Sequence, residues 1–316
     1  MSDPLGEVVS LLRPVLTYSK IASAAGPWRL RKEPDGSLFF SATLSGSCLL
    51  EVEGREPITL MERDFLLMPD SAAFTMRSLH SQSHLLPFTV PERLESGEYR
   101  LGELEEEAEI RNIVGHCRFE SPDSSLILSL LPSFIHVRGG EILPTLCSVL
   151  REEARLERAG QSIVLSNMLE IMLIEALRTC GELTLQPGLL KGLSDPKLAL
   201  VLRLMHGQPG RRWTVETLAR SCGLSRSAFY LRFTAALGVA PMAYLATWRM
   251  ALAKDMLRRG GYSMGELADR TGYGSASAFS TAFTRATHVS PARYAREILA
   301  GSSSSGHSIP PRDENA

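Results

Sequence analysis

The chain is poor in cysteine and has no long apolar run. Its five cysteines, Cys48, Cys117, Cys147, Cys180 and Cys222, are odd in number and include no Cys-x-x-Cys pair. That argues against a disulfide framework or a zinc site, and for a reducing, cytoplasmic setting. No stretch approaches the roughly 18 consecutive apolar residues that cross a bilayer, so no membrane partner is expected. Residues 1–4 lack the basic-then-apolar order of a secretory signal. A P-loop, a dinucleotide fingerprint and a Ser/His/Asp set are missing as well, so no catalytic residue and no cofactor is assigned. Net charge is nearly absent too, at −1 over 316 residues, but that value hides an asymmetry. Residues 1–195 hold 18 Lys+Arg against 28 Asp+Glu, and residues 196–299 hold 15 against 5. A basic module fused to an acidic one points to a polyanion partner at the basic end.

What is present is a pattern that occurs twice. The first copy has Leu218, Ala219, Gly223, Ser225, Ser227, Ala228, Phe229, Phe233, Val239, Pro241 and Tyr244. The second has Leu267, Ala268, Gly272, Ser275, Ser277, Ala278, Phe279, Phe283, Val289, Pro291 and Tyr294. The offset is 49 residues up to the glycine and 50 after it, so the second turn carries one inserted residue. A duplicated helix, tight turn and helix can read DNA with two helices at once.

Before the repeat the pattern changes twice. Residues 4–12 read as a short amphipathic helix. Between Trp28 and Met76, short apolar or alternating runs (38–40, 48–52, 58–60, 65–68) are bounded by turn residues, which predicts an antiparallel sandwich or small barrel. Further strand candidates are 111–114 and 126–130, with a solvated acidic loop at 103–109. From Leu143 the period becomes helical, over 143–156 and 163–177, and the second of these is apolar around much of its circumference. It suits both an intrachain core and a homodimer contact. Residues 181–193 read as a linker, Asp195-Pro196 as a helix start, and residues 300–316 as a disordered tail.

In the first repeat Thr214 caps a helix, Gly223 supplies the turn and Ser225 caps the next helix. On a 100° wheel Phe229 and Phe233 face the core, and Ser227, Tyr230, Leu231 and Thr234 face away, toward a major groove, with Arg226 at the N-terminal end. In the second repeat Phe279, Ala282, Phe283 and Ala286 form the core face, and Ser277, Ser280, Thr281 and Thr284 the outward one. Residues 241–259 lie between them. As a helix they span about 28 Å, close to the ~34 Å that separates successive major grooves on one face of DNA.

Residues 196–299 resemble the AraC/XylS-type DNA-binding domain. The resemblance rests on the Ala219 to Gly223 turn, Phe229 and Phe233, Pro241 to Tyr244, Arg249 followed by Ala253, Gly272-Tyr273, Phe279 and Phe283, and Val289-Ser290-Pro291 with Tyr294. It implies reading positions at Ser227, Tyr230 and Leu231 in the first unit and at Ser277, Ser280 and Thr281 in the second. The second reading helix of this family often carries arginine where this chain has Thr281. Serine and threonine cannot make arginine's bidentate contact to guanine. The first unit is therefore expected to supply most base discrimination, and the second mainly to hold phosphate, helped by Arg285, Arg293 and Arg296. Arg211, Arg212, Arg249, Lys254, Arg258 and Arg259 are further phosphate candidates, about half of them expected to touch DNA. Salt should weaken binding steeply.

The strand-rich half resembles the cupin-like sensor domain of one AraC-type subgroup, through Asp3-Pro4-Leu5, 25–28, 44–48, 64–69 and 115–119. Such a barrel can hold a small effector. A metal-dependent cupin enzyme with an accessory DNA-binding domain is the alternative. It would need clustered histidines with a carboxylate. Phe74 stands where the subgroup commonly has histidine, His80 and His84 lie in a serine-rich loop without a companion carboxylate, and His116 stands alone beside Cys117, so no metal site is assigned. Thiol sensing at Cys48 or Cys117 is a second alternative. The expected fold is an α+β multidomain chain: a cupin-like antiparallel barrel over 1–135, dimerisation helices over 136–180, a linker over 181–195, and an all-α double helix-turn-helix domain over 196–299, its units near 214–235 and 263–286. Its expected partners are double-stranded operator DNA, a second copy of the chain, a small-molecule effector and RNA polymerase.

Overall fold

The computed structural model describes residues 2–69, 72–80, 83–120, 128, 131–156, 158–181 and 187–304. The chain divides into two compact units. One holds residues 12–120 and 131–181. The other joins residues 2–11 to the chain from 187 to 304.

The first unit is built on two sheets. Eleven strands are described: β1 (Pro14–Ala25), β2 (Arg29–Lys32), β3 (Leu38–Ser45), β4 (Ser47–Val52), β5 (Ile58–Met61), β6 (Phe65–Met68), β7 (Phe74–Arg77), β8 (Glu92–Arg93), β9 (Tyr99–Gly102), β10 (Ile110–Phe119) and β11 (Ile135–Val137). They form a seven-stranded sheet, ordered β11-β6-β3-β10-β1-β9-β8, and a four-stranded sheet, ordered β2-β7-β4-β5. Pairing is antiparallel except between β1 and β9, which run parallel, so the sheet is mixed where pure antiparallel pairing was expected. Leu50, Leu60, Leu66, Phe74 and Trp28 are buried in the core between the strands. Helices α2 (Ile142–Arg155) and α3 (Gln161–Gly181) follow the strands.

The longest strand, β1, has no apolar alternation and was not expected from the sequence. The candidate strand over 126–130 lies outside the described residues, apart from Leu128, which is helical.

The second unit is helical. Helix α1 (Pro4–Leu12) belongs to it up to Leu11. The rest is α4 (Leu189–Ser194), α5 (Pro196–Gly207), α6 (Val215–Ser221), α7 (Arg226–Leu237), α8 (Pro241–Arg259), α9 (Met264–Thr271), α10 (Ala276–Thr287) and α11 (Pro291–Ser304). The segment read as a linker thus contains α4. Pro187 and the glycines signal breaks, but Leu189 is fully buried, and the Gly188 N–H donates to the Ala236 carbonyl at 2.9 Å. The tail read as disordered from residue 300 is helical as far as Ser304. Among the described residues no single helix is long and apolar enough to cross a membrane.

Candidate nucleic-acid interface and sensor cavity

The two repeats fold by the same local chemistry. Thr214 and Thr217 form a reciprocal capping box at the start of α6, and Ser263 and Glu266 do the same for α9. Each helix ends in the same C-terminal lock. The Leu224 N–H donates to the Ala219 carbonyl at 3.0 Å, and the Tyr273 N–H to the Ala268 carbonyl at 2.8 Å. Gly223 (φ 67°) and Gly272 (φ 76°) take the left-handed conformation this requires. At Gly272 space disfavours a side chain as well, since a Cβ would lie 2.9 Å from the Pro209 carbonyl oxygen and 2.3 Å from an Arg249 guanidinium nitrogen. The inserted residue, Gly274, falls after the lock and before the next cap. Ser225 accepts from the Ala228 N–H at 3.2 Å, and Ser275 accepts from the Ala278 N–H at 3.1 Å.

Phe229, Phe233, Phe279 and Phe283 are fully buried. Each pair packs against the tyrosine near the start of the next helix. The Phe233 and Tyr244 rings are 5.8 Å apart, and those of Phe283 and Tyr294 are 5.3 Å apart. These edge-on contacts fix the rotation of α7 and α10, and so decide which residues face outward. On α7, Arg226 and Ser227 are exposed, as are Tyr230 (45%) and Leu231 (69%). On α10, Ser277, Thr281 and Arg285 are exposed and Ser280 is half-buried. Thr234 departs from the wheel: its hydroxyl is buried. Ala286, placed in the core, is exposed, because the second unit closes on Phe279 and Phe283 without it.

The basic candidates sort by what they already hold. Arg226 and Arg285 are exposed and pair with no carboxylate among the described residues. Arg249 donates to the Pro209 carbonyl at 2.9 Å and the Arg211 carbonyl at 2.8 Å, stapling the loop before α6 onto α8. Lys254 is buried, its ammonium 5.9 Å from the Tyr294 ring centre. Arg258 and Arg259 pair with the buried Asp255. Arg211 lies over the Trp213 ring, and Arg293 pairs with Glu297 at 2.6 Å.

A cupin family model matches residues 3–182, and a helix-turn-helix domain model matches residues 218–297. An AraC-like transcription regulator of Streptomyces lividans is 33% identical over 299 residues, which is 92% of this chain and 97% of the relative. Another, of Streptomyces antibioticus, is 33% identical over 304 residues, 94% of this chain and 99% of the relative. The chain belongs to the AraC-like transcription regulators. Among solved structures, the DNA-binding domain of AdpA in complex with a target DNA is 34% identical. It covers 34% of this chain and 96% of its own, with a TM-score of 0.32. As an AraC-like regulator the protein is a DNA-binding transcription regulator with a cupin N-terminal domain.

The cupin domain of this AraC-like regulator contains a cavity of about 370 Å³. One wall comes from alternate residues of two paired strands, with Tyr18 opposite His116, Lys20 opposite Val114 and Ala22 opposite Asn112. Arg29 anchors the segment at the cavity's edge: its carbonyl accepts from the Thr89 N–H at 2.6 Å, and its N–H donates to the Thr89 hydroxyl at 3.2 Å. Sequence reasoning missed this wall. Its signal is the period-two row Tyr18, Lys20, Ala22, Ala24, which is not apolar because it faces a cavity rather than a packed core.

The described thiols do not line this cavity. Cys48, Cys117 and Cys147 are fully buried; burial pushes Cys48 up to about 12 and holds the other two above the usual thiol range. His80 does have a carboxylate beside it, Glu109 at 3.2 Å, contrary to the sequence reading, because β10 begins next to its loop. No group of three or more metal-ligating side chains occurs among the described residues.

Proposed function

We propose that the regulator binds operator DNA as a cytoplasmic homodimer, with α7 and α10 of each chain in successive major grooves. Arg226, Ser227, Tyr230 and Leu231 read sequence. Ser277, Ser280, Thr281 and Arg285 mainly hold the backbone. The observation that carries this reading is the pair of capped, identically locked helices, rotated by their buried phenylalanines so that those residues face outward. Helix α8, at 19 residues, supports the spacing.

Exposed apolar rows on the sensor unit support dimerisation. Ile142, Val149 and Leu156 recur every seven residues along and just beyond α2, and Ile163, Val164 and Ile171 lie exposed on α3. The cavity, rather than a thiol, is taken as the signal site, and RNA polymerase as the further partner through which transcription responds. Hydroxyl-radical footprinting on a selected operator tests the DNA reading. Two protected stretches about one helical turn apart per half-site are expected, and a single protected stretch would contradict it.

A further inference from the structure

The cavity wall carries unusual charge and hydrogen-bonding chemistry. Among the described residues three cations line it, Lys20, Arg31 and Lys32, and no aspartate or glutamate does. Two of them are matched nearby: Arg31 pairs with Glu33 at 2.5 Å and Lys32 with Asp35 at 2.6 Å. Lys20 pairs with no carboxylate among the described residues. Its ammonium sits 3.7 Å from the Tyr99 ring centre and 5.4 Å from that of Tyr18. Burial, and then the charge of Lys32, lower its pKa from the usual lysine value. A bound anion would offset both effects. A neutral guest would leave the ammonium desolvated, and a cationic guest would be repelled.

A second observation is independent of charge. Asn112 is 5% exposed and lines the cavity, and its buried Oδ1 has no hydrogen-bond partner among the described residues. A buried carbonyl oxygen without a donor is a standing cost, removed when a guest supplies an N–H or O–H. Lys20 pairs with Val114 across the β1–β10 ladder, so Asn112 is its diagonal neighbour on the same face, at a Cα separation of about 7–8 Å.

His116 adds a second acceptor. The Ser37 hydroxyl has one proton and gives it to Asp35 Oδ1 at 2.6 Å. Toward His116 Nδ1, 2.9 Å away, Ser37 therefore accepts, which assigns the imidazole proton to Nδ1 and leaves Nε2 an acceptor. Burial, followed by nearby Lys32, depresses the imidazole pKa to about 4, so it stays neutral at physiological pH. Apart from Ser23 and Thr89 the remaining lining is aliphatic or aromatic, with Phe39 and Phe74 in ring contact at 4.8 Å. The volume is at the small end of the ~300–1,000 Å³ range of ligand pockets.

We propose that the cavity binds a small ring-bearing carboxylic acid that also carries a hydroxyl. The carboxylate sits beside Lys20, the hydroxyl donates to Asn112 or His116, and the ring lies against the aromatic wall. The proposal rests on the cavity being the signal site, and the experiment separates the two. Full-length protein is titrated calorimetrically with benzoate, 3- and 4-hydroxybenzoate, 4-hydroxyphenylacetate and the primary amide of each. At least one hydroxy acid is expected to bind ten-fold or more tightly than its amide.

Lys20→Met should abolish that acid-over-amide preference, with Lys20→Gln giving the same result if the first variant melts early. Asn112→Leu or His116→Phe, whichever removes the acceptor in use, should abolish the preference for the hydroxylated acid over benzoate, and a preference that survives both overturns the hydroxyl contact. The chemistry is overturned if no acid outbinds its amide, or if the preference survives in both Lys20 variants. Operator affinity is measured in parallel. An acid that binds with the expected preference but leaves operator affinity unchanged upholds the ligand chemistry and removes the signal role. An amide that binds as well as its acid and shifts operator affinity does the reverse.

Discussion

His206 Nδ1 lies 3.0 Å from Oε2 of Glu7, although the two residues are 199 positions apart. The same imidazole places Nε2 2.7 Å from the Tyr244 hydroxyl and stacks on Trp248 at 3.9 Å between ring centres. A neutral ring donating from Nδ1 to the Glu7 carboxylate and accepting the Tyr244 proton satisfies all three groups. Burial alone would push the Glu7 carboxyl up, but hydrogen bonds from His206 and Ser2 hold it below the usual range. His206→Leu leaves the buried tyrosine hydroxyl without its imidazole partner and removes one of the carboxylate's two hydrogen bonds, Ser2 keeping the other. It is expected to destabilise the helical unit by about 2–3 kcal/mol. Urea unfolding followed by tryptophan fluorescence reads this directly, and a loss under about 0.5 kcal/mol would remove His206 from its place in the core.

Acid should weaken the fold early. Burial lowers the pKa of His206 below its free value of 6.5, and that of His116 to about 4. The unfolded chain therefore takes up protons before the folded one does. The stability these residues contribute is complete above pH 6.5 and is lost as pH falls, through to about 4 for His116. The melting temperature is expected to drop between pH 7 and pH 5. His116→Phe should flatten that limb for the sensor unit. A melting temperature that holds constant over the interval in the parent protein would be inconsistent with neutral buried imidazoles.

Thiol chemistry should be slow. Cys48, held up to about 12, Cys117 and Cys147 offer little thiolate and no surface. Iodoacetamide at pH 7.5 is expected to label these three only after denaturation, by peptide mass mapping. Complete labelling within minutes in native buffer would restore thiol sensing.

The exposed apolar rows should govern self-association. Ile163→Glu combined with Ile171→Glu is expected to turn a sedimenting dimer into a monomer and to weaken operator binding ten-fold or more. A double variant that still sediments as a dimer would exclude this face of α3.

Much of the helical unit is legible in the sequence because local rules and packing agree there. The threonine and serine caps, the glycine locks and the phenylalanine pairs each specify the same helix, turn and helix. The wheel errors at Thr234 and Ala286 fall in the last turn of each reading helix. Strands β3 to β6 follow from apolar runs between turns. Strand β1 does not, because its inner row combines lysine, tyrosine and alanine facing a cavity. The Glu7–His206 contact leaves no local trace, since neither residue has an unusual neighbourhood in the sequence.

The division of labour between the two reading helices is tested most directly by in-vitro selection of bound sequences from a randomised pool. The parent protein is compared with Tyr230→Ala, Ser227→Ala, Ser277→Ala and Thr281→Ala. The α7 variants are expected to erase base preference over one major-groove segment, by about 1–3 kcal/mol per contacted base. The α10 variants should lower affinity while leaving the selected sequence in place. A shift from Ser277→Ala or Thr281→Ala as large as that from Tyr230→Ala would contradict the assignment of base reading to the first unit.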